Sequence, residues 1–487
     1  MKYFRAGRMP AAAFLLLGSA ISTPALATSW GADAGDAQTR SDIELLAATG
    51  AIDAITSSYP LAWGSIEEKL QHANAPAYIS GAARRVLAQA EADTGDTGLS
   101  ASLDTDFASA PATVRGFDAL GRQAAQGQAI LDYSQPGFAI HLAAGARTSN
   151  PKDRQVLMLD GSYAAAELGG AVVYAGYVPH WWGPGWRTAL SLSTNARPFP
   201  SIGITRAGTT PFKTPLLSWM GPWQAEFFVG VLDGPRINSN TLFSGLRVAI
   251  NPLPGLELAL SRTQQFCGTG QPCDPIQGFF DVYNDPARIN KTKNQANIDL
   301  RYTSVAMGIP FSLYAQVMNR DTGPFTHSAS NHVIGTSLWL PVHDTTVRVT
   351  AEYASTISTH NIFSFGNYFP GITYEDGQYR DGWNYRGRTM GSSLGTDSRL
   401  ASLQASFMGG HGISYSFTFD RAQVGSTLPG SVNRLTPTPV TIHAGEMRMS
   451  FPLGLFKFDL AGRIQDDQLR PRSGFLTAVE SRIRMDL

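Results

Sequence analysis

Downstream of residue 27 the chain has no apolar run approaching the roughly 20 residues that a helix needs to cross a bilayer. Membrane insertion as a helical bundle is therefore excluded, and only a closed barrel remains as a spanning structure, because lipid satisfies no backbone hydrogen bond. Charge is sparse, with 16% charged residues against about 25% in soluble domains. It is also balanced, 38 basic against 38 acidic residues, so no long-range field gathers nucleic acid or another polyanion. Any acidic ligand has to be held by local arginines. Cysteine is nearly absent. Cys267 and Cys273 lie in a turn-rich stretch and are expected to close a small loop disulfide in an oxidising compartment. Two cysteines and scattered histidines do not make a metal site, so His327 and His332 read as loop residues and neither metal nor cofactor is expected.

What is abundant points to β-structure. There are 49 glycines, 25 phenylalanines, 16 tyrosines and 9 tryptophans, a composition that suits a barrel, although soluble β-proteins share it. The N-terminus carries Lys2, Arg5 and Arg8, an apolar run from Ala11 to Ile21, and Ala25-Leu26-Ala27. This is the form of a cleaved export signal, residues 1–27, with Thr28 as the mature start. As a membrane anchor the run is too short.

The mature chain has two regimes. From Ser41 to about Asp93 the period is helical. Ser41-Asp42-Ile43-Glu44 and Ser65-Ile66-Glu67-Glu68 have the spacing of capping boxes. Gly50 stops the first helix, Pro76 can open a third, and Thr94 to Gly98 ends it. These helices define a small periplasmic helical subdomain, residues 28–112, with too little chain for a large core of its own. It is expected to pack against something else.

From about Val114 the period is two, which assigns residues 113–487 to a mainly β, antiparallel transmembrane barrel. Ile298, Leu300 and Tyr302 alternate with Asn297, Asp299 and Arg301; Ile413, Tyr415, Phe417 and Phe419 alternate with Ser414, Ser416, Thr418 and Asp420. A soluble sandwich alternates as cleanly. Repetition favours the barrel: about eighteen such segments between Phe138 and Leu487 are joined alternately by short turns and long polar loops, as in outer-membrane barrels, and a soluble domain rarely stacks so many strands. Short turns at Leu253–Gly255, Met408–His411 and Phe451–Gly454 belong to the periplasmic side. Phe266–Asn294, Ser355–Gln378 and Arg421–Pro439 belong outside, where long aperiodic loops carry function. Ser481 to Leu487 alternates to the last residue, as a closing strand does.

One segment is specific. Trp181-Trp182-Gly183-Pro184-Gly185, followed by Leu190 to Ser193, Asn195-Ala196-Arg197-Pro198 and Arg206, resembles the signature of the Wzi family of capsule-assembly proteins. Trp223 to Phe228, Tyr385-Arg386-Gly387-Arg388 near Gly391 to Gly395, and Tyr59 to Trp63 extend the resemblance over nearly the whole mature chain. It implies an eighteen-stranded barrel of the cell outer membrane with a periplasmic helical bundle, acting as a lectin that anchors capsular polysaccharide at the cell surface. Its implied partners are extracellular polysaccharide and outer-membrane lipid, with polysaccharide export machinery as a further candidate; nucleic acid is not among them, and the chain is expected to be a monomer.

The residues fit two readings. Trp181 and Trp182 can project from a sharply bent backbone, their indole faces suited to a pyranose. Arg187, Arg197 and Arg206, with Asn195, either pair with Glu226 and other carboxylates in the lumen or bind uronates bidentately. Tyr374, Tyr379, Arg380, Trp383 and Tyr385, with Arg386 and Arg388, either contact capsule at an extracellular mouth or form an aromatic girdle. Besides polysaccharide attachment, a porin-like channel for small solutes or sugars is the main alternative. An enzyme is disfavoured: Gly391-Ser392-Ser393-Leu394-Gly395 matches a nucleophile-elbow string but lacks its strand-turn-helix setting, and no carboxylate pair suggests a glycosidase.

Overall fold

Side-chain alternation along the strands separates two surfaces, and their exposure decides between sandwich and barrel. Leu300, Tyr302, Phe417 and Phe419 are exposed, whereas Asn297, Asp299, Arg301 and Asp420 are buried. A soluble sandwich buries its oily face; here the oily face points outward and the charged face is enclosed, which is stable only with hydrocarbon around the wall.

The protein is described here from a computed structural model covering residues 31–487 except 33, 53, 67–69, 71–76, 95–97, 150–152, 274–291, 321–328, 343–344, 362–363, 365, 410–411, 467–468 and 470–473. The expected signal peptide, the end of the second capping box, Pro76 and His327 lie outside the described residues. Eighteen antiparallel strands close the wall. They are β1 (Gly98–Ala108), β2 (Ala125–Gln135), β3 (Phe138–Arg147), β4 (Tyr163–Leu168), β5 (Ala171–Gly176), β6 (Ser201–Arg206), β7 (Trp223–Leu232), β8 (Thr241–Leu253) and β9 (Leu256–Phe266) in the first half. The second half runs β10 (Lys293–Ala306), β11 (Ile309–Arg320), β12 (Ser330–Val342), β13 (Thr345–Thr359), β14 (Arg399–Met408), β15 (Ser414–Val424), β16 (Val440–Leu453), β17 (Phe456–Asp466) and β18 (Phe475–Asp486). A two-residue strand, Leu157–Met158, continues the fourth wall position beside β3. Closure is made by β18 against β1, with Arg482 opposite Asp106.

Several expectations are corrected. The barrel starts at Gly98, not residue 113: β1 and β2 precede Phe138, so the helical segment ends before Gly98 rather than at 112. In β2, Gln126, Gly127 and Gln128 blur the alternation and Ile130 lies buried beside exposed Leu131; β1 does alternate, Leu99, Leu103 and Phe107 outward against Ser102 and Asp106 inward, but it follows directly on the helical stretch. The strands also run further than their aperiodic neighbours suggest, β13 to Thr359 and β15 to Val424. His332 lies on β12, not in a loop.

The wall has one end of tight turns, periplasmic in outer-membrane barrels, and one end of long connections. The long connections fold inward. Residues 177–200 descend through the lumen, where Trp181 and Trp182 pair as a two-residue strand with Tyr59 and Ser58. From the N-terminal side, α1 (Ala37–Ala48) is buried on nearly every face and packs against β10 and β11, with α2 (Ser80–Thr94) beside it. The N-cap of α1 is Asp36, which accepts from the Gln38 and Thr39 amides. Ser41 is therefore interior to the helix, contrary to its capping-box spacing, and its hydroxyl instead accepts from Trp339 Nε1. The core is this plug: Trp63, Trp181, Trp182, Trp186 and Trp383 are fully enclosed by the barrel.

Candidate functional site

The plug is held by charge as much as by aromatic area. Arg40 of α1 pairs with Glu44 at 2.9 Å, donates to the Pro184 carbonyl at 2.8 Å, and lies over Trp186, 4.2 Å from its ring centroid, and Phe117 at 4.5 Å. Glu44 also receives Arg301 of β10 at 2.6 Å and Trp186 Nε1 at 3.2 Å. Burial alone raises the Glu44 carboxyl, but Arg301 and Arg40 reverse this and hold it at about 2. Asp42 is bound by Arg85 at 2.7 Å, yet burial pushes its carboxyl up to about 6. Burying such groups is affordable only when each has a partner, since an uncompensated charge in low dielectric costs several kcal/mol.

The family motif belongs to this plug. Trp181 Nε1 donates to the Gly185 carbonyl at 3.0 Å and Trp182 Nε1 to Glu226 at 3.3 Å. Neither indole presents a face to solvent, which counters the expectation that they project toward sugar. Arg187 pairs with Asp420 at 2.6 Å, and its amide donates to Glu352 at 3.2 Å. The expected pairing of these arginines with Glu226 does not occur, because Glu226 is taken by Tyr174, His180 and Trp182. Arg197 forks onto Asp160 with contacts of 2.6 and 2.9 Å. Arg206 is apart from all of them, outward on the wall at the tight-turn end and 3.9 Å from the Trp223 ring centroid.

The second cluster closes the lumen from the opposite end. Tyr374, Tyr379, Trp383 and Tyr385 are buried, so they form no girdle against lipid. Tyr374 donates to the Leu190 carbonyl at 2.7 Å and Tyr379 to the Cys267 carbonyl at 3.2 Å. Cys267 and Cys273 are joined as expected, and this small loop lies against the same cap. Tyr385 donates to Asp233, which also receives Arg386 at 3.0 Å. Arg380 is exposed; its amide donates to Asn238 at 3.1 Å.

A hairpin of Asn384–Tyr385 and Arg388–Thr389 rises from this cap. Its two-residue turn has φ 47° at Arg386 and 79° at Gly387, the left-handed pair of a type I′ turn, for which glycine is the natural second residue. The hairpin sets Arg388 over a small open cleft lined also by Asn195, Glu375, Asn384, Ser393 and Arg434. Arg434 is neutralised by Glu375 at 2.6 Å. Arg388 donates to Asn195 Oδ1 at 3.3 Å and to the Arg122 carbonyl at 2.8 Å, and pairs with no carboxylate among the described residues. Burial, with Arg122 and Arg147 nearby, lowers its guanidinium to about 10, still cationic at neutral pH. Asn195 is fixed by donating to the Thr389 carbonyl at 2.8 Å. The cleft is thus a small cationic recess with preset amide and guanidinium donors, suited to a carboxylate or sugar hydroxyls. Glu375 and Arg434 were missed in the sequence, where nothing marks two residues 59 apart as partners. Ser393 lines the cleft but only accepts the Arg115 amide at 3.0 Å, in a turn rather than an elbow.

A family model described as capsule assembly protein Wzi matches residues 100–461. The chain belongs to the Wzi family. An uncharacterized 55.8 kDa protein in the cps region of Klebsiella pneumoniae is 28% identical over 327 residues, 64% of this chain and 63% of that protein, so the alignment spans under two thirds of that relative. The solved structure of Escherichia coli Wzi, described as an outer-membrane protein involved in group 1 capsule assembly and a carbohydrate-binding β-barrel, superposes with TM-score 0.80 at 19% identity, covering 93% of this chain and 99% of that one. Fold and outer-membrane placement therefore stand together in this Wzi-family chain: a lipid-facing wall closed around a polar, plugged lumen.

Proposed function

We propose that this Wzi-family protein binds capsular or related extracellular polysaccharide at the long-connection end of its barrel and holds it at the cell surface without turnover. The observation that carries this reading is the contrast at Arg388. Most lumen arginines pair with acids or lie against aromatic rings, and buried Arg115 is spent on the Leu120 and Gly121 carbonyls, while Arg388 stands at a cleft whose acid, Glu375, is taken by Arg434. A sugar carboxylate supplies the missing charge, and its hydroxyls suit Asn195 and Asn384. The plug bears on the channel alternative, because its aromatic and ion-paired interior fills the lumen that a channel would need open.

The test is retention of capsule. Cells lacking the protein are expected to shed polysaccharide that wild-type cells keep bound, and an Arg388→Ala copy is expected to restore the barrel but not the retention. Unchanged cell-bound and shed fractions on deletion would sink the reading. Export machinery as a partner and the monomeric state belong to the same proposal; detergent-solubilised protein is expected to run as a single-chain particle in light scattering.

A further inference from the structure

At the tight-turn end the described connections are two residues long, or five between β14 and β15, except one: β6 and β7 are joined by residues 207–222. That connection does not cover the lumen. Along β6, Gly203 and Thr205 are buried toward the interior and Ile202 is exposed, so Arg206 faces outward; along β7, Gln224 and Glu226 are inward, so Trp223 faces outward too. Phe212 of the connection stacks on Trp223, with centroids 4.4 Å apart and planes 12° from parallel. Arg206 lies over the same ring and donates to the Thr210 carbonyl at 3.2 Å. The return is pinned at Gly221, where φ is 61° and a Cβ would fall 2.0 Å from the Asn251 carbonyl oxygen. The connection is thereby clipped to the outside of the wall.

Its tip is oily. Leu216 is 82% and Trp219 61% exposed, beside exposed Lys213. Water offers such residues nothing, but the wall they adjoin faces lipid, and the neighbouring turns also carry exposed Leu253 and Met307. Indole and leucine beside cationic side chains are the composition of a segment lying in the headgroup boundary, the rings among acyl chains and the cations on phosphates.

We propose that residues 207–222 form a lateral foot that inserts Leu216 and Trp219 into the periplasmic leaflet, with Arg206 and Lys213 on phospholipid phosphates. This inference rests on membrane placement and not on polysaccharide binding. With both native cysteines in a disulfide, Leu216→Cys gives a unique site for an NBD fluorophore, and Thr427→Cys on the long-connection end gives the control. In vesicles of phosphatidylethanolamine and phosphatidylglycerol, with heat-shifted gel mobility showing folded barrel, shallow doxyl-lipid is expected to quench the Leu216→Cys label at least about twofold more than the control, with a blue-shifted emission. Equal quenching and a water-like emission at both positions would overturn the foot. So would a label at 216 that stays in water in vesicles and becomes protected only when a periplasmic extract is added, which would assign the loop to a protein partner.

Discussion

The plug and the mouth use the same side chains to opposite ends. In the plug, Arg40 and Arg301 both pair with Glu44, and Arg187 meets Asp420. At the mouth, Arg434 meets Glu375 but Arg388 meets only one side-chain amide oxygen and one backbone carbonyl. Paired charges buried under aromatic rings specify a fixed interior; an unneutralised guanidinium beside solvent is a site awaiting an anion. Residue type does not separate the two, and pairing does.

The comparison breaks most severely if one plug partner is removed. Glu44→Ala leaves Arg40 and Arg301 uncompensated and is expected to cost about 3–5 kcal/mol, read as a lowered urea midpoint of the folded barrel in detergent. A smaller and pH-dependent effect follows from the same carboxyl. Because Glu44 sits at about 2 rather than 4.5, it contributes about 3 kcal/mol above pH 4.5 that is lost as pH falls toward 2. Asp42, raised to about 6, acts in the opposite sense: its burial cost is present above pH 6 and disappears on protonation. Stability is expected to rise by about 3 kcal/mol from pH 6 toward 4 and then fall by a similar amount, with Asp42→Asn removing the rise and Glu44→Gln the fall.

At the mouth the expected losses are of binding rather than stability. Arg388→Ala should weaken an acidic polysaccharide by about 10-fold or more, the worth of a charged hydrogen bond, with the unfolding midpoint nearly unchanged; titration with purified polysaccharide reads it. Equal binding by the variant would move the site elsewhere. Least of all is expected from Ser393→Ala, which removes one hydroxyl and should alter binding by less than about threefold, since a neutral hydrogen bond is worth about 1 kcal/mol or less. Hydrolysis of polysaccharide abolished by that change would instead reveal an enzyme.

How much of this was readable in advance follows from what alternation can carry. The period of two around Leu300 and Phe417 located the wall, because large apolar and charged residues mark opposite faces. It missed β2, where Ala, Gly and Gln mark neither face over the first half, and β1, whose Leu99, Leu103 and Phe107 do alternate with Ser102, Asp104 and Asp106 but directly follow the helical stretch. The aromatic motif at Trp181–Gly185 was legible as a bend, but its direction was not, since a loop that leaves a barrel and one that folds into it have the same local sequence. Ser41 and Glu44 illustrate the same limit: their spacing mimics a cap, while tertiary partners Trp339 and Arg301 take both side chains. Arg388 was named among many arginines; the absence of a paired acid at an open cleft, a three-dimensional fact, sets it apart.

Single-channel recording in a planar bilayer tests most directly whether the interior is filled and the mouth is where sugar is met. Purified wild-type protein is expected to insert without sustained open-channel current, and polysaccharide added to the long-connection side should leave that baseline unchanged. Steady conductance steps from the unmodified protein, blocked by added oligosaccharide, would show an open lumen and contradict the account.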